Sequence, residues 1–345
     1  MPPFAVRSWT VDLDGPVHVT EHPGPGGHDT PPLVCVHGLG GSHANWHDLA
    51  PLLAQRHHVY ALDLAGHGRT PRAGRSAALA ANARLLDRFL AEVVGEPAVI
   101  VGNSMGASIA VLTAVASPEK VAGLVLIGLP MPRGLRERCD PALARQIALC
   151  AVPAIGARAL GRRRRRLGPE GLIQATFEMT TADVSRVSPE MRRLAVSLVA
   201  SRAAGPDSEA AFLEAARSLG LLLARASAYR AAVAAVTAPT LVLQGALDRL
   251  VPASGLLQLE ALQPRWTLNL LQGVGHVPQI EIPEQTARVV LDWLGGQALR
   301  PRRAPAEPDR RIPLDPGQPR AAARGAPGTG GNRRFVRRRR LLRSR

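Results

Sequence analysis

One serine, one late histidine and one acidic residue stand where they could do nucleophilic chemistry. The serine is Ser104, in Val99-Ile100-Val101-Gly102-Asn103-Ser104-Met105-Gly106-Ala107-Ser108. An apolar run rich in β-branched residues ends in Gly-x-Ser-x-Gly, and a small-residue, helix-like stretch follows to Ala116. Strand, sharp turn and helix in that order form a nucleophile elbow, which lifts a serine hydroxyl out of a sheet. Gly102 and Gly106 suit such a turn because it brings backbones together where a Cβ would clash. The pentapeptide alone is a weak signal, since a plain small-residue turn reads the same way. Its weight comes from what stands elsewhere in the chain.

A serine hydroxyl is a poor nucleophile and needs a general base, usually a histidine oriented by a carboxylate. In an elbow fold these partners follow the serine in the order acid, then histidine. Of the ten histidines, nine lie before residue 68, and only His276 follows Ser104. It sits in Gly273-Val274-Gly275-His276-Val277-Pro278, just beyond the apolar run 266–271. Asp248 follows the run Thr240 to Gly245 by three residues and is the candidate orienting acid; a turn or helix-cap role is its plainer alternative. Glu260 falls on the next helix, where a solvated face is expected. A developing oxyanion needs two N–H donors. Met105 N–H, directly after the serine, is one, and Leu39 N–H is the other, with Gly38, Gly40 and Gly41 allowing close approach. His37 precedes Ser104 and is expected to order this loop rather than act as the base.

These residues need strands that end together. Residues 4–21 read as a hairpin turning at Asp14-Gly15-Pro16. Strands are expected at 33–37, 58–62, 99–103, 123–128, 240–245 and 266–271, and helices at 45–54, 77–94 and 283–294. Alternation of strand and helix predicts a mostly parallel, eight-stranded α/β sheet flanked by helices. Residues 131–236 are rich in Ala and Arg, show no clear strand, and are broken at Pro153, Gly168-Pro169, Pro189 and Gly205-Pro206, which marks an inserted helical segment. Residues 300–345 are rich in Pro, Arg and Gly without periodicity and are expected to be disordered. The core is therefore assigned to 1–130 and 237–299.

The formal net charge of +16 is unevenly placed. Residues 300–345 hold 15 arginines against three acids, and 131–236 hold 17 against nine, so the remaining frame is slightly acidic. Arg162 to Arg166, and Arg333, Arg334 and Arg337 to Arg340, could meet phosphates of anionic lipid or nucleic acid. A solvated helix and an unstructured tail are the plainer readings. Cys35, Cys139 and Cys150 show neither a zinc nor a disulfide pattern, so reduced thiols in a cytoplasmic protein are expected. No signal peptide is read at the N-terminus. The uncharged run 97–118 is long enough for a membrane span but carries Gly102, Asn103, Ser104 and Gly106 at its centre, so strand, turn and helix explain it better.

His37-Gly38, Asp63-Leu64-Ala65-Gly66-His67-Gly68, Gly102-Asn103-Ser104-Met105-Gly106, Asp248 and Gly275-His276 together resemble the α/β-hydrolase fold family. The resemblance covers about 4–130 and 237–296. It implies that 131–236 form a helical cap over Ser104, and that His67 serves the loop structurally. It further implies a serine hydrolase working through an acyl-enzyme on a small apolar ester or related acyl substrate, with no cofactor and no metal. Carbon–carbon bond hydrolysis, cofactor-free peroxidation and acyl transfer use the same template, and a ligand-binding member with little turnover is the alternative of another class. Ser104 stands where dehalogenase-like and epoxide-hydrolase-like members carry an aspartate. Leu143, Ile147, Leu149, Val152, Ile155, Leu172 and Ile173 are candidate apolar lining of the cap, or packing of its own core.

Overall fold

Parallel pairing of buried strands sets the architecture of the computed structural model, which describes residues 5–25, 30–132, 153–202, 207–297 and 312–313. The first two strands, β1 (Arg7–Asp12) and β2 (Pro16–His22), form an antiparallel hairpin whose turn uses Asp14 and Gly15 at positive φ. Six parallel strands follow: β3 (Leu33–Val36), β4 (Val59–Leu62), β5 (Ala98–Asn103), β6 (Val121–Ile127), β7 (Thr240–Gly245) and β8 (Thr267–Leu271). The sheet order is β8-β7-β6-β5-β3-β4-β2-β1, and the two residues Ile312–Pro313 pair outside β1. This is the eight-stranded, mostly parallel sheet that the sequence predicts. The remainder of 298–345, including the arginines at 333–340, lies outside the described residues, as do Cys139 and Cys150.

β3 to β7 read as nearly continuous apolar runs because both faces are covered. Alternate residues point to opposite sides. Val34, Val36, Ile100, Leu124, Leu126 and Val242 face one core, with helices α2 (Leu79–Phe89) and α3 (Met105–Ala116) packed on it. Leu33, Cys35, Val99, Val101, Val125, Ile127 and Leu241 face the other. That side is closed by the single turn α1 (Ala50–Leu53) and by the helix Pro283–Gly295 through Val290, Trp293 and Leu294. The helix expected at 45–54 is instead a 3-10 turn, His43–Trp46, and then α1. Ser42 starts the turn with a capping box to Asn45, and Pro51, in the first turn of α1, has no N–H to donate back to His47, so the second piece begins anew. The helix expected at 77–94 narrows to 79–89 and finishes as a π turn, Leu90–Val94, stopped by Gly95 in the left-handed region.

The segment between β6 and β7 is helical where it is described. Its helices are α4 (Pro153–Thr180), α5 (Pro189–Arg202), α6 (Asp207–Ala224) and α7 (Ala226–Ala234). The sequence breakers act as expected: Pro153 and Pro189 begin helices, and Gly168, at φ 63°, interrupts α4 before Pro169. Gly205-Pro206 falls outside the described residues. No helix among the described residues is long and apolar enough to cross a membrane; the uncharged run 97–118 is β5, the Ser104 turn and α3.

Burial of histidines near β2 gives the fold a specific acid response. Burial pushes His18 down to about 4, the charges of His43 and Arg69 acting in the same direction and Asp63 against it. Burial likewise brings His22 to about 4, with His47, His43 and His58 adding to the shift. In the unfolded chain both imidazoles would titrate near 6.5. Between those limits the unfolded chain binds more protons, so stability falls as pH drops from about 6.5 to about 4, by on the order of 3 kcal/mol for each histidine. Urea midpoints measured from pH 7.5 to 4.5 should therefore begin to fall well above the carboxylate range. His22→Gln should flatten that dependence.

Candidate active site

The loops that follow β3, β5, β6, β7 and β8 all leave the same edge of the sheet, the carboxyl ends of the parallel strands, where open α/β sheets place their sites. Ser104 occupies the tightest of them. Its backbone is held at φ 55°, ψ −116°, one of three non-glycine residues at positive φ among those described. Such a conformation costs on the order of 1–3 kcal/mol. Burying a single valine or isoleucine contributes about 2 kcal/mol, and Val99, Ile100 and Val101 before the turn and Ile109 and Val111 after it are all fully buried. Packing on either side thus outweighs the strain. The glycines are sterically required. A Cβ on Gly106 would lie 2.1 Å from the carbonyl oxygen of Val36, and one on Gly102 would lie 2.6 Å from that of Gly106. Ser104 N–H donates to Ile127 O at 2.8 Å, which ties the turn to the end of β6.

His276 and Asp248 meet at this edge. Nδ1 of His276 lies 2.7 Å from Oδ2 of Asp248, whose carboxylate is fully buried. The other carboxylate oxygen accepts the N–H groups of Leu250 (2.8 Å) and Val251 (2.9 Å), and Gln244 Nε2 donates to Oδ2 at 3.1 Å. Burial alone would raise the Asp248 carboxyl, but the charge of His276 and these hydrogen bonds outweigh it and hold the group below the ordinary carboxylate range. A carboxylate that stays ionised can only accept, so Nδ1 carries the proton and Nε2 the lone pair. Two residues at the ends of β5 and β6 adjoin this pair. Asn103 Nδ2 donates to Ile127 O (3.3 Å) and to His276 O (3.2 Å). Gly128, at φ 57°, opens the space for the ring: a Cβ there would stand 3.0 Å from both Cε1 and Nδ1 of His276 and 3.5 Å from Oδ2 of Asp248.

The loop after β3 closes on Ser104 from the other side. A Cβ on Gly38 would lie 3.2 Å from Cβ of Ser104. His37 orders this loop through its backbone: Leu64 N–H donates to Nε2 (3.1 Å), so Nδ1–H donates to Gly38 O (2.8 Å). In a trans peptide the C=O and N–H point opposite ways. Fixing the Gly38 carbonyl therefore fixes the direction of Leu39 N–H. Met105 supplies the first N–H of α3.

Among the described residues, one group of metal-ligand type lies close enough to share an ion: His18, His43 and Asp63, with ligand atoms within 4.8 Å of one another. Asp63 is already engaged. It accepts His43 N–H at 2.6 Å, Arg69 N–H at 2.7 Å and the His43 ring at 2.9 Å. Burial would raise its carboxyl, but the hydrogen bond and charge of His43, the charge of His37 and the Arg69 N–H bring it down to about 2. Its donor set is that of a hydrogen-bonded loop anchor, and His67 lies in the same loop. The arginine run 162–166 sits on α4, with Arg162, Arg165 and Arg166 exposed and Arg164 3.4 Å from Glu209. Of the apolar lining candidates, Ile173 packs against the core of the helical segment, while Leu143, Ile147, Leu149, Val152 and the side chain of Ile155 lie outside the described residues. Leu172 is half-buried.

With the geometry in hand, the relationship to known proteins is direct. The family model described as alpha/beta hydrolase fold matches residues 31–283. The chain belongs to the α/β-hydrolase fold family. It is 29% identical over 265 residues to a pimeloyl-[acyl-carrier protein] methyl ester esterase of Photobacterium profundum, covering 76% of this chain and 94% of that protein. It is 30% identical over 267 residues to a 2-hydroxy-6-oxononadienedioate/2-hydroxy-6-oxononatrienedioate hydrolase of Pseudomonas putida, covering 76% and 87%. In fold it is similar to haloalkane dehalogenase DbeA of Bradyrhizobium elkani, with a TM-score of 0.70 at 22% identity over 85% of this chain and 98% of the other. The protein is an α/β-fold hydrolase.

Sequence reasoning passed over Asn103, Gly128 and Gln244, which act through contacts that no spacing rule reports. Gly128→Ala tests one of these contacts. The variant should fold with a loss of about 1–2 kcal/mol from backbone strain and lose about 10- to 100-fold in hydrolase turnover as the imidazole is displaced, read by thermal melting and steady-state kinetics.

Proposed function

We propose that this hydrolase cleaves small apolar carboxylic esters through an acyl-enzyme, with Ser104 as nucleophile, His276 as general base and acid, and Asp248 as the orienting carboxylate. The observation that carries this reading is the 2.7 Å contact between His276 Nδ1 and the buried Asp248 carboxylate, on the loop that Asn103 joins to the Ser104 turn. As Ser104 Oγ bonds to the carbonyl carbon, its proton passes to His276 Nε2 and the carbonyl electron pair moves onto oxygen. Asp248 stabilises the imidazolium so formed. The N–H groups of Met105 and Leu39 receive the oxyanion, and the positive end of α3 reinforces the first. Collapse of the intermediate breaks the ester C–O bond, and the leaving alkoxide takes the proton from His276. Water then repeats the sequence on the acyl-enzyme and frees Ser104.

The helical segment between β6 and β7 is read as a cap. Phe212 on α6 supports this, since its ring lies 3.1 Å from where a Cβ on Gly40 would stand, beside the loop that carries Leu39. The named activity of the esterase relative favours an ester substrate. The Pseudomonas putida relative favours, as a second reading, carbon–carbon bond hydrolysis of a vinylogous diketone on the same three residues.

A panel of p-nitrophenyl esters of graded acyl length, run beside a vinylogous diketone, separates the two. Wild type should turn over the esters. Ser104→Ala and His276→Ala should each lower kcat by about 10⁴- to 10⁶-fold, and Asp248→Asn by about 10⁴-fold. Wild-type turnover in Ser104→Ala would overturn the reading, and diketone cleavage without ester cleavage would transfer it to the second.

A further inference from the structure

The mount of His276 is built from two parts of the chain. Its own N–H donates to Thr180 O at 2.6 Å, at the end of α4. A Cβ on the preceding Gly275 would lie 2.6 Å from that same oxygen and 2.7 Å from Ala182 N. After the histidine, Val277 and Ile280 pack with Phe177, Val187 and Met191 of the helical segment. The loop that carries the imidazole is therefore pressed against residues 177–191 rather than suspended from β8 alone.

A second carboxylate, used by no step of the proposed reaction, sits at this junction. Glu281 ends the short helix Pro278–Glu281, and its side chain is fully buried. Its Oε2 accepts Gly275 N–H at 2.8 Å and Ala182 N–H at 3.1 Å. Its Oε1 accepts Asp183 N–H at 3.2 Å and Arg186 Nη1 at 3.1 Å. Arg186 Nη1 also donates to Gly273 O at 2.9 Å. The four donors come from both sides, one from the residue before the histidine and three from 182–186 of the helical segment. Burying a carboxylate costs several kcal/mol unless it is paired and hydrogen-bonded. This one is matched by one cation and three backbone N–H groups.

We propose that Glu281 is a positioning residue for His276, clamping the loop that bears the imidazole to residues 182–186, so that the seating of the helical segment sets where the imidazole stands relative to Ser104. The inference rests on the reading of Ser104 and His276 given above. Glu281→Gln is the informative change. An amide keeps the shape but offers one acceptor oxygen and two N–H groups, so in either orientation two of the four donors that now meet carboxylate oxygen face another donor. Arg186→Gln removes the bridge to Gly273 and leaves Glu281 in place.

The test is the rate at which a fluorophosphonate probe labels Ser104, measured from pH 5 to 9 and normalised to the folded fraction from thermal melts, together with kcat and KM for a short p-nitrophenyl ester. Glu281→Gln should label about 30- to 100-fold more slowly, since a displacement of about 1 Å in a catalytic group can cost that much. Its pH midpoint should move, and kcat should fall with little change in KM. Arg186→Gln should slow labelling by about 3- to 10-fold, a smaller displacement on the same scale. A Glu281→Gln protein that melts earlier but labels at the wild-type rate and midpoint would show a purely structural carboxylate and overturn the inference. Should Glu281→Gln not fold, Arg186→Gln decides alone, an unchanged rate again overturning it. Wild-type protein that the probe does not label, or Ser104→Ala that it labels equally, would overturn the reading of Ser104 and this inference with it.

Discussion

The close approach of the Ser104 turn to the end of β3 is the constraint on which the rest depends. Parallel pairing of β3 with β5 brings the start of α3 against the carbonyls of Val36 and His37, so that a Cβ on Gly106 would stand 2.1 Å from the first. That contact leaves the chain one way to turn, with Ser104 in a conformation that a serine adopts only under compulsion. The compulsion comes from two apolar elements, β5 and α3, whose burial exceeds the strain. The hydroxyl is thereby presented at the sheet edge with the first amides of a helix behind it.

Around this turn the fold separates two kinds of polar burial. On the N-terminal side, His18, His43 and Asp63 are in contact, and burial keeps His18 and the nearby His22 neutral at ordinary pH. The products of this cluster are local: it orders the loops after β3 and β4, and it makes the fold sensitive to acid. On the C-terminal side a single histidine is bonded to a carboxylate that stays ionised. The same side-chain type is thus inert in one place and suited to proton transfer in the other, because its neighbours differ.

The helical segment between β6 and β7 meets the core at several points, and they are unequal. Arg72 with Glu214, both about a third exposed, is an ion pair in reach of solvent, worth at most about 1 kcal/mol. At the other junction Arg186 also reaches solvent, but the Glu281 carboxylate is fully buried, and losing it leaves N–H groups of two chain segments unmatched. The segment and the histidine loop are accordingly one mechanical unit.

Much of this was legible in the residues, for identifiable reasons. Strands buried on both faces write themselves as short apolar runs, so the bounds read for β3 to β8 lie within two residues of those observed, while the hairpin read from residue 4 begins at Arg7. The order of Ser104, Asp248 and His276 could be read because nine of ten histidines fall before the serine. Local chemistry also decided the breaks at Pro153, Gly168 and Pro189. The helix drawn through 45–54 failed because Pro51 and the Ser42 capping box, both local signals, outweighed an apolar spacing that suited a helix. What the sequence could not state is what only chain crossing creates. Gly128 is empty because an imidazole from residue 276 lies over it, and Asn103 reaches a carbonyl 173 residues away. Glu281 looks like an ordinary helical glutamate until residues 182–186 are folded against it. Periodicity and spacing record how a segment meets water or core. Which distant backbone stands opposite a given side chain is set by the packing of whole elements, and only the tertiary structure decides it.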